Sequence, residues 1–150
     1  MTDTTARLAL PMIVPGQAQK EMTHNEALAL LAIAVQAQVT AVGTNVPPTD
    51  PMPGECWVVG PAPTGAWVGQ ADAVAGWTGG GWRFVPAHPG FTVGVADTGR
   101  RARFSDQGWE SETAPAAVVA PSGGDVIDTQ ARTAITQLLT ALRGLKLLPE

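Results

Sequence analysis

The chain has no tyrosine, a single cysteine, two histidines and few charged residues, and each shortage removes a class of explanation. The lone Cys56 cannot close an intrachain disulfide, so stability must come from packing and association. Set beside Trp57 in an apolar stretch, it reads as a buried, inert thiol. His24 in THNE and His88 in PAHPG stand without a thiol or acid at ligand spacing, so no metal and no cofactor is expected. Charged residues make up 15% of the chain and sum to −4, which argues against a grip on nucleic-acid phosphates. The one basic cluster, Arg100, Arg101 and Arg103, is flanked by Asp97 and Asp106 and reads as locally compensated. Long apolar runs are missing as well. Ala27 to Val35 falls far short of the ~20 residues that span a bilayer, so no membrane insertion is expected. MTDTTARLAL has neither the basic start nor the apolar core of a signal peptide, and cytoplasmic synthesis and assembly are the expectation.

What is present is globular. A chain of 150 residues, 45% hydrophobic, can bury a real core in one domain with helical appendages. So little charge also leaves more apolar surface than a monomer tolerates well, which burial in an oligomer would resolve.

Residues 1–22 read as an extended arm, because LALPMIV carries Pro11 inside and Pro15-Gly16 behind it. A helix is expected over 23–43, opened by a capping box of Thr23 and Glu26. Leu28, Ala32, Val35, Val39 and Val42 give it a stripe, widened by Leu30, Leu31 and Ile33, and Gly43 ends it. Residues 44–54 are a proline-rich linker. Residues 55–120 hold all five tryptophans and most of the glycines, the pattern of short antiparallel strands and turns. Candidate strands are 57–59, 66–68, 82–85, 91–95 and 102–104, with Gly79-Gly80-Gly81 as a hairpin turn. Residues 121–150 form a C-terminal association helix capped by Asp128. Its stripe of Ile127, Ala131, Ala134, Leu138, Ala141, Leu145 and Leu148 keeps a four-three alternation, with Ile135, Leu139 and Leu142 alongside. The fold class is therefore α+β, a small antiparallel sheet, sandwich or barrel flanked by two helices.

No catalytic constellation accompanies this architecture. A serine elbow, a phosphate loop and HExxH are all lacking, and GWTGGGW has no lysine or following helix to serve a phosphate. Glu55, Asp72, Asp97, Asp106 and Glu110 offer carboxylates, but acids at strand ends are commonly turn formers. Catalytic residues are accordingly none. The sharper candidates are aromatic: Trp67, Trp77 and Trp109 stacking on sugar rings, with Asp72 and Asp97 accepting hydroxyl hydrogen bonds. Against that stands the use of the same rings as core or interface filling.

LALPMIVPGQAQKEMTHNEALALL, GECWVVGPAPTGAWVGQADAVAGWTGGGWRFVPAHPG and DTQARTAITQLLTALRGL together cover almost the whole chain. They resemble an uncharacterised family of short virion proteins of alphaproteobacterial prophages and gene transfer agents that carry a domain of unknown function. The resemblance implies a particle component, a head-spike or tail-fibre-like part, and brings no catalytic residues with it. The expected function is thus a homo-oligomeric spike base or fibre-attachment protein that supports host-surface adsorption. Its interface would use Leu28, Leu31, Val35 and Val39 on one helix and Leu138, Leu142 and Leu145 on the other. Expected partners are its own copies in a trimer or pentamer, other capsid, spike or fibre proteins, and surface polysaccharide. Its place would be the virion, after assembly in the host cytoplasm. The alternative is a carbohydrate-binding module that recognises capsule or surface glycan through exposed tryptophan.

Overall fold

A computed structural model describes Met12 and residues 20–113, 115–124, 127–145 and 147–148. They fall into two compact units that meet in sequence at Glu112–Thr113. The first is α+β, as expected. Strands β2 (Cys56–Val58), β3 (Val74–Thr78) and β4 (Gly81–Val85) form one antiparallel sheet in chain order. Strands β5 (Thr92–Val95), β6 (Arg101–Ser105) and β7 (Gly108–Ser111) form a second meander, which β1 (Gln38–Val39) joins in parallel beside β5.

The stretch 38–44 belongs to both sheets. Gln38 and Val39 register against Gly94 and Val95. Just beyond, Thr40 N donates to Cys56 O at 2.7 Å, and Gly43 N and Thr44 N donate to Val58 O at 3.0 Å. Val58 N in turn donates to Ala41 O at 2.9 Å, and Thr44 bridges Val59 in parallel. This seam satisfies backbone groups that would otherwise be open sheet edges.

Alternation along the strands sorts side chains into two cores. Val58 and Val74 meet Val93, Ala102 and Val39 in the first, with Val85, Phe91 and Trp109 packed around them. Trp57, Val59 and Ala75 point the other way and form the second with Trp67, Trp82 and Phe84. Helix α1 (Lys20–Ala34) lies on the first side, where Ile33 enters the core. A Cβ on Gly76 would sit 2.6 Å from Ile33 Cδ1, so the strand comes this close only because position 76 has no side chain. One ion pair adds to the helix contact, Arg83 Nε to Glu26 Oε2 at 2.7 Å.

Several expectations need correction. The first helix starts at Lys20 and stops at Ala34, so it does not run over 23–43. Gln36 takes a left-handed φ of 48°, and the β-branched residues beyond it gain ladder partners in two sheets, which continued helix would forfeit. Thr23 lies inside the helix, not at its cap, and Glu26 serves Arg83 instead. The buried face of α1 is Ala29, Ala32 and Ile33; Leu31 and Val35 are exposed. Ala66–Val68 is no strand. Gly65–Trp67 is a 3-10 turn, set between positive-φ glycines at 65 and 69, and only Trp67 of that trio is buried. Strands β3 and β7 have no counterpart among the expected strands. The strands end at Ser111, short of the boundary at residue 120, and the described part of 112–124 carries none. The arm expected over 1–22 lies outside the described residues except for Met12 and residues 20–22, and the last three are helical.

The second unit holds helix α2 (Thr129–Gly144), capped as expected by Asp128, whose Oδ1 accepts from Ala131 N at 2.9 Å. The preceding segment runs along it. Arg143 Nη2 donates to Val118 O at 3.0 Å, and Arg132 donates to Gly123 O.

Candidate functional site

The aromatic candidates come first because the sheet decides what they can do. Trp67 is 0% exposed. Its ring lies edge-on to Trp82, centroids 5.0 Å apart, and tilted against Trp57 at 6.3 Å. Trp82 continues edge-to-face to Trp77 at 4.9 Å, its direct cross-strand partner. Four rings thus pave the outer face of the β2–β3–β4 sheet, with large area buried on a short-stranded scaffold. No face of Trp67 is open to a sugar, so it is withdrawn as a stacking residue. Its Nε1 is buried without a hydrogen-bond partner among the described groups.

The remaining glycan candidates are not assembled into one site. Trp109 sits in the first core, packed against Phe91 and Phe104, with its Nε1 donating to Asp72 O at 2.8 Å. That bond joins Trp109 and Asp72 through the Asp72 backbone carbonyl, and Asp72 itself is a turn residue with φ 63°. Trp77 is half-buried at the glycine hairpin, where Thr78 Oγ1 donates to Gly81 O at 2.8 Å. Asp97 lies exposed in the β5–β6 turn, lining a cavity with Arg100 and Arg101. Trp57 and Trp82 take a larger part in the aromatic cluster than the sequence pattern assigned them.

The association candidates divide more clearly. Val39 is 1% exposed and belongs to the protein's own core, so it cannot contact a neighbour. Leu28 is half-buried, while Leu31 on α1 and Val35 just past its end are exposed. On α2 the two arginines and Leu139 lie on the side that runs along the chain's own segment, and Leu139 is buried. The opposite side carries Ala131, Ala134, Leu138, Ala141 and Leu145, all exposed, with Leu138 at 63% and Leu145 at 68%. Ile135 and Leu142 lie between these two sides, the first exposed and the second half-buried. Among the described residues of this unit, the stripe from Ala131 to Leu145 is therefore left exposed. Polar positions beside it are Gln130 and Gln137, which set up no like-charge repulsion between copies.

Among the described residues no group of three His, Cys, Asp or Glu is placed to hold a metal, and no helix is long and apolar enough to cross a membrane. Cys56 is buried, and its thiol donates to Gly54 O at 3.6 Å. No curated protein matches the chain. Residues 24–110 match a family model described as "Protein of unknown function (DUF2793)", a span running from α1 to β7 and leaving α2 outside. The chain belongs to this family of proteins of unknown function, DUF2793.

Proposed function

We propose that the protein is a structural, homo-oligomeric part of a phage-like particle, of prophage or gene-transfer-agent type. In it the β unit is the packed body and α2 is the element that joins copies. The observation that carries this reading is the exposed heptad stripe of α2, Ala131 to Leu145, on a helix whose other side already faces its own chain. Burying a leucine from water is worth roughly 1.5–3 kcal/mol, so Leu138 and Leu145 from each copy would contribute to self-association. Alanines at 131, 134 and 141 let helices approach closely, and the apolar Ile135 and Leu142 beside the seam favour more than two strands. A trimer or pentamer about a symmetry axis fits a spike base or fibre attachment that supports adsorption to the host surface. The resemblance of the LALPMIVP, THNEAL and GGWRF stretches to virion proteins supplies the particle, and the apolar helix supplies the joint.

The test is physical location. Particles purified from a lysate of cells making the tagged chain, then labelled against the tag under the electron microscope, should carry it at a fixed site in a fixed copy number. Recovery only in the particle-free supernatant would overturn the reading.

A further inference from the structure

We propose that the open end of the four-stranded sheet binds a carboxylated sugar, at a site separate from the tryptophan face. There β5, β6 and β7 end beside residues 40–42 and leave a cavity of about 270 Å³. That is close to the lower bound of ~300 Å³ for small-molecule sites, a size for one compact polar molecule and not for a peptide. Ala41, Val42 and Val95 supply the apolar part of its lining.

The polar part is incompletely paired. Arg100 and Arg101 both line the cavity and are exposed, and among the described residues no ion pair or hydrogen bond engages either guanidinium. Their backbone amides are the groups in use: Arg100 N donates to Thr98 Oγ1 at 3.3 Å and Arg101 N to Glu112 Oε2 at 3.1 Å. One Glu112 oxygen therefore serves a backbone amide, and the two guanidiniums of these cavity-lining residues keep their donors without a partner among the described residues. A guanidinium fork matches a carboxylate with two parallel hydrogen bonds. Asp97 lines the same cavity with its carboxylate in no hydrogen bond among the described residues, and Thr40 and Ser111 add hydroxyls.

This mixture selects among ligands. A phosphate brings close to two negative charges to a cavity that already holds Asp97 and Glu112, and two like charges at such range repel. A neutral sugar leaves both guanidiniums unanswered. A sugar acid carries one negative charge for the arginines and several hydroxyls for Asp97, Thr40 and Ser111. Hexuronate chemistry answers both halves of the site.

The experiment is an NMR titration of the ¹⁵N-labelled full chain with sodium glucuronate, with glucose, acetate and phosphate in parallel. Saturable shifts are expected for amides 40–42 and 97–101, with glucose and acetate at least about tenfold weaker. Arg100→Gln, at an exposed position before β6, should weaken glucuronate by about tenfold or more while the rest of the spectrum stays in place. Arg101→Gln is the second variant should the first disturb the turn. Absence of saturable shifts there, equal binding of glucose, tighter binding of phosphate, or unchanged affinity in both variants would overturn the assignment. Leu138→Asp, far along the sequence on α2, should leave glucuronate binding intact, so the outcome is independent of the assembly reading.

Discussion

Trp67→Ala tests whether the tryptophans are core or platform, and its cost can be worked from the structure. A tryptophan buries roughly 150–250 Å², and at about 25 cal/mol per Å² its transfer is worth ~4–6 kcal/mol. With no exposure at Trp67, nearly all of that is lost on truncation. Edge-on packing on Trp82 at 5.0 Å and tilted packing on Trp57 at 6.3 Å add about 0.5–1.5 kcal/mol per aromatic pair. Two effects run the other way. The surrounding loop relaxes in part, and the unpartnered Nε1 carries a burial penalty of about 1–3 kcal/mol that alanine abolishes. The net expectation is a loss of ~3–5 kcal/mol, the usual range for such truncations. Trp67→Phe keeps most of the ring and removes the orphan N–H, so it should cost less than about 1.5 kcal/mol. Urea unfolding followed by far-ultraviolet circular dichroism gives both values. It should be run at one protein concentration in a Leu138→Asp background, since association would raise apparent stability by mass action. A cost below about 1 kcal/mol for the alanine variant, or a phenylalanine variant as damaging as alanine, would refute the packing argument.

Gly76→Ala places a methyl 2.6 Å from Ile33 and should destabilise by about 1–3 kcal/mol in thermal melts, whereas Gly79→Ala, in open space at the turn, should stay within about 0.5 kcal/mol. Asp128→Ala removes the cap of α2 and should cost about 0.5–2 kcal/mol locally, seen as faster amide hydrogen exchange over 129–134 with β-unit protection unchanged. Glu26→Gln breaks the ion pair to Arg83, both partners partly exposed; the loss should be about 0.2–1 kcal/mol and shrink in high salt.

Strands with alternating faces were readable from the sequence, and Trp82-Arg83-Phe84 with the glycine triplet before it shows why. The large residues share one face and the turn has its required residue type. Strand β3 was not readable, because VAGWT is small, carries a central glycine, and is buried on both faces at its start. Its glycine looks like a turn signal, yet it marks where Ile33 approaches from another part of the chain. The overlong first helix has the same origin. Val35, Val39 and Val42 keep helical spacing, but the pairing of Gln38 and Val39 with Gly94 and Val95, and of Ala41 and Gly43 with Val58, decides the path of the chain beyond Ala34. Asp128 as cap was legible because capping is local. The cavity was not, since its arginines look compensated by neighbours in sequence while no ion pair involving them forms among the described residues. Thr40 and Ser111 reach it only through strand pairing.

Association through the α2 stripe is the claim on which the proposed role depends, and size-exclusion chromatography with multi-angle light scattering tests it most directly. The wild-type chain should elute with a mass three or five times its 15.5 kDa, and Leu138→Asp should move it towards the monomer with an unchanged circular dichroism spectrum of the β unit. A clean monomer for the wild type, or an oligomer indifferent to Leu138→Asp, would contradict the account.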